Sequence, residues 1–345
     1  MTWQVPLSPH PPPAGTSVAT VADALVTPMQ RGTRPAEPGV TPRWMTGSVH
    51  DAEGRLVVEA QRSWQGDMNA PRAVDPDRVD VPAQCRRLSG RWIYAGHWTS
   101  HFGHFLVEVL TNLWPDPAET NVSGILVHRS FRGPSPVYAG ASGALRTPQL
   151  SDWQRDLLDL AGYGGLKVRV VRGRPVRVDE LVVPSRPVLL KSWAQEPAVA
   201  LWRRVADAAD PPEATGGKVF LSRARHHEGA SSGRDKVRTT PEWERLVEAR
   251  FLEAGYWRFH PEEVPVGRQI GVVKGADVVA GFAGSALHLT ALAAERTKVV
   301  ELGDERSPVR PTDTQTMIAA ARGQELAFVP YQDAEALDDL LRAVS

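Results

Sequence analysis

The chain has 345 residues, in which 40 lysine and arginine residues balance 40 aspartate and glutamate residues. This length suggests two domains of ordinary size or one large one, and the zero formal net charge argues against a dedicated nucleic-acid binder. The single cysteine, Cys85, excludes an intramolecular disulfide framework and a cysteine-rich metal site. Because no apolar run of membrane-spanning length and no signal peptide are visible, we expect a cytoplasmic protein with no transmembrane segment.

The residue pattern divides the chain into four stretches. Residues 1–45 are rich in proline and poor in periodic pattern, which is typical of a loosely packed arm. Residues 46–207 and 218–345 each alternate short apolar strands with helices. Residues 208–217, with two prolines and two glycines, are expected to form a hinge between them. The alternation of strands and helices predicts two α/β domains with parallel sheets.

The predicted elements follow that order along the chain. In the first α/β domain we expect strands at 55–60, 92–95, 124–127, 168–171 and 181–183, and helices at 101–114 and 153–160. In the second we expect strands at 218–221, 277–280 and 297–302, and helices at 239–254, 266–274, 285–294 and 333–344. The strands are short apolar runs, and glycine or proline ends several of the helices.

The predicted helix 101–114 carries the first group of candidate functional residues. At about 100° per residue, its polar side chains share one narrow sector: His101, His104, Glu108, Thr111 and Asn112. The rest of the helix is apolar, so we expect it to be buried with this stripe facing a partner, a cavity or a ligand. His104 and Glu108 are four residues apart, close enough for the carboxylate to orient the imidazole for acid–base work.

Two other interpretations of these residues stay open. The histidines could be hydrogen-bonded core residues without a catalytic role. They could also ligate zinc, since three histidines (His97, His101 and His104) and Glu108 supply nitrogen and oxygen ligands. Gly103 weakens the helix between those ligands, and no metallohydrolase motif is present.

A second group of candidates follows the predicted strand 277–280. The segment continues through a glycine-rich turn into a predicted helix, and such a turn exposes backbone N–H groups that can bind a phosphate. The small residues Gly284, Ser285 and Ala286 would let an anion approach the backbone. Glycines that only make a tight turn are the alternative explanation.

Two charged residues at strand ends complete the candidate set. Arg223 directly follows the predicted strand 218–221, at the edge where open parallel sheets bind ligands, and could contact a phosphate. Glu301 lies at the end of another strand, where a carboxylate could accept hydrogen bonds from ribose hydroxyls. A basic loop follows Arg223, and we expect most of its charges to be solvated: Arg225, Arg234, Lys236 and Arg238.

Taken in order, these segments resemble glycosyltransferase family 61, also described as capsular-polysaccharide-biosynthesis-like. The resemblance rests on motifs spread over residues 88–302: HFGHFLVEVLTNLW, WQRDLL, RPVRVDELVVPS, KVFLSR, RQIGVVKGADVVAGFAGSALHLTALA and VVEL. Their order and spacing make the match more specific than any single motif.

The resemblance implies a GT-B-like architecture, in which two Rossmann-type domains face each other across a cleft. It also implies inverting transfer of a sugar from a nucleotide-sugar donor, expected to be UDP-linked, to a hydroxyl of a glycan or other acceptor, without a cofactor or metal ion. His104 and Glu108 match the family's His-x₃-Glu/Asp pair, and with His101 they form the expected catalytic set. The expected donor-binding set lies in the second domain: Arg223, Gly284, Ser285, Ala286, His288 and Glu301.

The sequence departs from the family pattern at several positions. Ala283 stands where relatives often have histidine, Thr240–Pro241 where they have Asn-Glu, and Leu289 where asparagine is frequent. These departures support an alternative hypothesis, in which the protein binds nucleotides or glycans without turnover.

Overall fold

A computed structural model of the chain describes residues 12–28, 30–31, 44–60, 72–73, 78–129, 145–214, 216–225 and 238–343. The chain forms two compact units. The N-terminal unit comprises Pro12–Ser151 and Ala161–Leu189, and the C-terminal unit includes Asp152–Leu160 and Leu190–Ser345. Within the described residues, no helix is both long enough and apolar enough to cross a bilayer.

The N-terminal unit is built around a mixed sheet. Its strands are β1 (Val18–Val26), β2 (Gln30–Arg31), β3 (Trp44–Thr46), β4 (Val49–His50), β5 (Arg72–Ala73), β6 (Arg86–Trp98), β7 (Gly124–Arg129), β8 (Leu145–Arg146), β9 (Lys167–Val171), β10 (Val176–Pro184) and β11 (Val188–Leu189). Seven of them pair in the order β4-β1-β10-β6-β7-β9-β8. β10, β6, β7 and β9 run parallel, while β1 and β8 pair antiparallel at either side of them.

The helices of this unit are short. They are a 3-10 turn (Val58–Ala60), α1 (Phe102–His104), a π-helical turn (Phe105–Val109), a 3-10 turn (Leu110–Leu113) and α2 (Pro117–Thr120). The three consecutive pieces from residue 102 to 113 are here called segment 102–113, and its π-helical and 3-10 turns pack against β6. The mixed sheet and the short helices depart from the Rossmann-type domain expected for this half of the chain.

The structure corrects the expectation of a loosely packed arm over residues 1–45. β1 lies within that stretch and pairs with β10 from Val18–Pro184 to Val26–Val176. The last three residues of β1 are fully buried. The proline-rich neighbourhood hid an apolar run that covers the edge of β10. Residues 1–11, 29 and 32–43 lie outside the described part of the chain.

The C-terminal unit contains the second sheet and the longer helices. Its strands are β12 (Trp193–Ala194), β13 (Lys218–Leu221), β14 (Trp257–Phe259), β15 (Val278–Phe282), β16 (Lys298–Leu302) and β17 (Leu326–Val329). Its helices are α3 (Asp152–Leu160), α4 (Glu196–Ala208), α5 (Pro241–Glu253), α6 (Val266–Lys274), α7 (Asp313–Arg322) and α8 (Ala334–Ala343), with 3-10 turns at Pro261–Glu263 and Leu287–Leu292.

The sheet of the C-terminal unit is parallel and doubly wound. Its five strands run in the order β14-β13-β15-β16-β17. α5 and α8 pack on one face, in an apolar cluster that includes Phe220, Phe251 and Phe282. α4, α6 and α7 contact the 3-10 turn Leu287–Leu292. The strand order reverses between β13 and β15, and this reversal creates a switch point at the carboxyl ends of those strands.

The predicted hinge 208–217 is not a free linker where the structure describes it. The Glu213 N–H donates to the carbonyl of Gly271 at 3.0 Å, and the Glu213 carboxylate pairs with Arg268 at 3.0 Å. The unit boundary falls instead at Leu190, because α4 packs against α6 and α7 and so belongs with the second sheet. Residue 215 lies outside the described residues.

The predicted elements agree with the structure for most strands and differ for several helices. The α/β class is confirmed, as are strands at 124–127, 168–171 and 218–221 and a helix at 266–274. The predicted helix 285–294 is a six-residue 3-10 turn, Leu287–Leu292, and the predicted strand 55–60 reduces to isolated bridges at Arg55 and Leu56 before a 3-10 turn. The sequence patterns missed α4, β14, α7 and β17.

Candidate functional site

Segment 102–113 is capped at its N-terminus by His101. His101 has extended backbone angles, and its Nδ1 accepts a hydrogen bond from the backbone N–H of His104 at 3.4 Å. The rings of His101 and His104 meet edge to face, with centroids 4.8 Å apart. His101 therefore lies beside the predicted catalytic pair, with one ring nitrogen committed to capping the first turn.

His104 and Glu108 form a hydrogen-bonded pair. The distance from His104 Nδ1 to Glu108 Oε2 is 2.7 Å, and the two side chains are 23% and 12% exposed. Because an ionised carboxylate can only accept, this bond requires the proton on Nδ1. A neutral His104 then presents Nε2 as its proton acceptor. The i, i+4 spacing predicted this contact, although the backbone between the two residues enters a π-helical turn.

The other polar residues of the predicted stripe satisfy the backbone. The Thr111 hydroxyl and the Asn112 amide both donate to the carbonyl of Glu108, at 3.0 and 2.9 Å. The change from π-helical to 3-10 geometry at Leu110 leaves carbonyl groups without regular helical partners. Thr111 and Asn112 supply those partners, so the structure assigns them a local structural role.

Sequence reasoning missed Arg186, which lies near this pair. Burial lowers the pKa of the Arg186 guanidinium, and the neighbouring Glu108 and Tyr94 act in the opposite direction. Two contacts hold this stretch of chain: Trp114 Nε1 donates to the Ser185 carbonyl at 3.0 Å, and β11 contacts the π-helical turn. The available signal was the Ser-Arg pair at a strand end, the same pair that singled out Arg223.

A buried histidine, His128, is hydrogen-bonded at both ring nitrogens in the same sheet. The His128 ring is held between Tyr94 Oη on Nδ1 and the Thr27 carbonyl on Nε2, each at 2.8 Å. Since a carbonyl only accepts, the proton is on Nε2, and the phenol donates to Nδ1. Burial lowers the pKa of His128 to about 4, although the Thr27 carbonyl opposes the shift. His97 stacks on this ring at 5.2 Å and is not part of the His104–Glu108 pair.

In the C-terminal unit, Ser222 and Arg223 follow β13 at the switch point of the sheet. The Ser222 hydroxyl donates to Glu248 at 2.7 Å and accepts from the N–H of Ala224 at 3.3 Å, which fixes the turn. Partial burial acts to raise the pKa of Glu248, but hydrogen bonds from Ser222 and Arg258 outweigh it and lower that pKa. Glu248 is therefore a stable anionic anchor for the turn that carries Arg223.

The Arg223 guanidinium reaches the loop that follows β15. Its Nη1 donates to the Ala283 carbonyl at 3.3 Å, and its Cζ lies 5.2 Å from the centroid of the Phe282 ring. Glu244 is 3.5 Å from Nη2, and the side chain is only 15% exposed. Burial lowers the pKa of Arg223, while Glu244 and Asp304 oppose the shift. Nε and Nη2 are buried without a hydrogen-bond acceptor among the described residues.

The loop from Ala283 to Ala286 is the predicted phosphate loop. Gly284 has φ +149, and a Cβ on it would meet Arg223 Nη1 at 3.5 Å. Among the described residues, no hydrogen bond uses the N–H groups of Gly284, Ser285 and Ala286. The expected helix dipole is absent because a six-residue 3-10 turn follows. Any attraction for an anion must come from these N–H groups and from nearby cations.

Glu301 is hydrogen-bonded to Thr312 at the start of α7. The carboxylate is fully buried, and both oxygens accept from Thr312: Oε2 from its N–H at 3.0 Å and Oε1 from its hydroxyl at 2.6 Å. Burial raises the pKa of Glu301 to about 8, although the Thr312 hydrogen bonds act to lower it. The carboxylate is committed to the first turn of α7, and the expected contact with ribose stays a prediction.

His288 takes part in a separate polar chain. Its Nδ1 lies 3.2 Å from Gln315 Oε1, and Gln315 Nε2 donates to the Thr290 hydroxyl at 2.7 Å. Thr290 in turn donates to the Leu287 carbonyl at 2.8 Å. These directions place the proton on His288 Nδ1. His288 is partly buried and is held by Gln315 of α7. It takes no part in the contact between Arg223 and the Ala283 carbonyl.

Two of the four basic residues in the loop after Arg223 lie in the described part of the chain. Arg225 pairs with Glu263 on the surface, and Arg238 contributes its backbone carbonyl to Glu305 N–H at 3.0 Å. Arg234 and Lys236 lie outside the described residues. Across the described ranges, no group of three or more His, Cys, Asp or Glu side chains has the arrangement of a metal site.

The fold and the comparison with known families identify the chain. The C-terminal unit is a doubly wound α/β domain, a class in which ligands bind at the switch point of the sheet. A model of the glycosyltransferase 61 family matches residues 102–300, more than half of the chain, and the protein belongs to this family. The match begins at the first residue of segment 102–113 and ends one residue before Glu301. No curated protein matches the chain.

Proposed function

We propose that this protein transfers a sugar from a nucleotide-sugar donor, with a UDP-linked sugar as the first expectation, to a hydroxyl of a glycan or other acceptor. The proposal includes inversion at the anomeric carbon, a hexosyl or pentosyl unit as the sugar, and a GT-B arrangement of the two units. Membership of the glycosyltransferase 61 family supports the reaction class. The observation that carries the chemistry is the hydrogen bond between His104 and Glu108.

Inverting transfer needs a base, and His104 is the better candidate of the pair. The acceptor hydroxyl loses its proton while its oxygen forms the new bond to the anomeric carbon. His104 Nε2 accepts that proton, because Nδ1 already carries one and donates it to Glu108. Glu108 then stabilises the imidazolium and holds the ring in one orientation, as the orienting carboxylate does in other base–carboxylate pairs. Glu108 is thus a positioning residue.

The departing group is a nucleoside diphosphate, which takes the electron pair of the broken anomeric C–O bond. Its growing negative charge needs fixed donors. Arg223 has two buried N–H positions without acceptors, and the N–H groups of residues 284–286 lie on the loop that its Nη1 contacts. These donors support binding of the diphosphate at the switch point of the C-terminal sheet.

The test compares the donor turnover and nucleotide affinity of variants in segment 102–113 with those of the wild-type protein. Donor turnover is measured as nucleoside diphosphate release from a panel of nucleotide sugars, with and without glycan acceptors, and nucleotide affinity is measured separately. H104A is expected to lower turnover by about 100-fold or more, and E108Q by less, with nucleotide affinity unchanged. R245A is the control, because Arg245 is 75% exposed and pairs with Glu242 on the surface, so turnover should be retained.

Two outcomes would contradict the proposal. Turnover by H104A at the wild-type rate would remove His104 as the base. If the wild-type protein binds nucleotides but releases no sugar from any donor, it is a nucleotide- or glycan-binding protein without turnover, the alternative that Ala283 suggests.

A further inference from the structure

A second arginine converges on the loop that Arg223 contacts. Arg306 Nη2 donates to the Ala283 carbonyl at 3.4 Å, and Arg223 Nη1 donates to the same oxygen at 3.3 Å. The two residues come from turns after different strands, β16 and β13. The fold thus gathers two guanidinium groups at one carbonyl, directly before the loop residue Gly284.

Arg306 is aimed at this point by a buried carboxylate. Asp304 Oδ2 accepts from Arg306 Nε at 3.2 Å and from Nη2 at 2.8 Å. Asp304 is fully buried, and its Oδ1 accepts from the backbone N–H of Arg306 and Ser307, so it cannot follow a moving side chain. The Arg306 side chain remains 48% exposed. One end of the guanidinium is therefore fixed while the rest stays accessible.

Each arginine has a carboxylate beside it and still has donors left over. Glu244 lies 3.5 Å from Arg223 Nη2, and Asp304 binds Arg306. Arg223 Nε is buried without an acceptor, and within the described residues Nη1 of Arg306 takes part in no hydrogen bond. With the N–H groups of residues 284–286, these donors could be satisfied by an anion with several oxygen atoms.

We propose that Arg306 is a second phosphate-binding residue, and that it and Arg223 each bind one phosphate of a diphosphate group. This inference rests on the proposed function, because it takes the donor's diphosphate as the ligand. In the reaction the two guanidinium groups would share the charge that the leaving diphosphate gains when the anomeric C–O bond breaks. A nucleoside monophosphate bound through Arg223 lacks the second phosphate that Arg306 would hold, so the pair favours diphosphates.

The test measures affinity for UDP, GDP, ADP and CDP and for the four corresponding monophosphates. For each nucleotide that binds, R306A is expected to weaken diphosphate binding about tenfold or more, and to change monophosphate binding by no more than about twofold. R306K should retain part of the diphosphate preference, since lysine keeps the charge but not the planar fork. R310A is the matched control, because Arg310 is 56% exposed and pairs with Asp313.

The outcomes separate this inference from the proposed function. Wild-type protein that binds none of the nucleotides contradicts both. If wild-type binds diphosphates and R306A either leaves them unaffected or weakens mono- and diphosphates equally, Arg306 is not a second phosphate-binding residue, while the proposed function stands. If R306A does not fold, the ratio of diphosphate affinity to monophosphate affinity is measured for R306K instead. A ratio equal to that of the wild-type protein overturns the inference.

Discussion

At the scale of single residues, burial separates the carboxylates that can act on a ligand from those that hold the fold. Glu108 is 12% exposed and uses one oxygen on His104. Glu301 is fully buried and uses both oxygens on Thr312. Glu108 and Glu301 are both glutamates within motifs that resemble the family, so residue type alone does not tell which of them could act on a ligand.

Replacement of Glu301 by glutamine tests this distinction. A glutamine can accept from the Thr312 N–H through its oxygen and donate to the Thr312 hydroxyl through its amide, so the local bonds are retained. We expect E301Q to bind nucleoside diphosphates within about twofold of wild-type, as measured by titration calorimetry. G284A serves as the comparison, because alanine at φ +149 is strained and should reduce affinity by distorting the loop. A large loss of affinity in E301Q alone would support the ribose contact.

The sequence predicted the local part of the site and not its tertiary part. The His104–Glu108 contact follows from i, i+4 spacing, which survives the change of helix type. Arg306 and Arg186 have no such i, i+4 signal. Arg186 is marked only by a Ser-Arg pair at a strand end, and the contact of Arg306 with the Ala283 carbonyl joins segments distant in the chain. Glu301 was assigned to a ligand because a strand end in a sequence does not reveal which loop covers it.

At the scale of elements, short connections determine where the units divide. α4 joins the C-terminal unit because the chain after it is packed along α6. Gly271 and Gly275 make this close approach possible: a Cβ on Gly275 would lie 1.9 Å from the Glu213 carbonyl oxygen, and one on Gly271 2.8 Å from that of Pro211. The proline- and glycine-rich composition that suggested a hinge instead serves tight packing.

A methyl group at Gly275 should therefore destabilise the protein. We expect G275A to lower the free energy of unfolding by about 2 kcal/mol, since the clash is with backbone that cannot move without displacing the segment. G15A is the control, because nothing lies within 4 Å of a Cβ there, and it should be neutral or slightly stabilising. Urea denaturation measures both. Equal stability of the two variants would mean that residues 209–214 act as a hinge after all.

Element prediction succeeded where a strand is buried on both faces. β13 and β15 are continuous apolar runs with helices on both sides, so their signal is strong and local. β1 was missed because its alternating pattern is framed by prolines. The predicted helix after Gly284 is a 3-10 turn with five of six residues buried, so the apolar spacing that suggested an α-helix reflects burial rather than helical period.

At the scale of the whole molecule, each unit buries a group whose pKa is shifted enough for its protonation between pH 4 and 8 to differ between the folded and unfolded chain. In the N-terminal unit, burial lowers the pKa of His128 to about 4 from a usual 6.5. In the C-terminal unit, burial raises the pKa of Glu301 to about 8 from a usual 4.5. The contribution of His128 to the free energy of unfolding therefore decreases as the pH falls. The contribution of Glu301 decreases as the pH rises.

These two groups make opposing contributions to the pH dependence of stability. Between pH 6.5 and 4 the unfolded chain binds the His128 proton more strongly, so acidification lowers the free energy of unfolding. Between pH 4.5 and about 8 the folded chain binds the Glu301 proton more strongly, so raising the pH lowers it. The slopes oppose each other between 4.5 and 6.5, and only the Glu301 slope remains between 6.5 and 8.

Substitution of each group should remove its own side of this profile. In H128Q the glutamine can accept from Tyr94 and donate to Thr27, and we expect a smaller loss of stability below pH 6.5. In E301Q we expect a smaller loss between pH 6.5 and 8, and the double variant should show both changes. Urea denaturation at pH steps from 4 to 9 measures the free energy of unfolding. If E301Q left the alkaline side unchanged, Glu301 would be ionised in the folded protein between pH 6.5 and 8, and its buried contact with Thr312 would be that of a carboxylate.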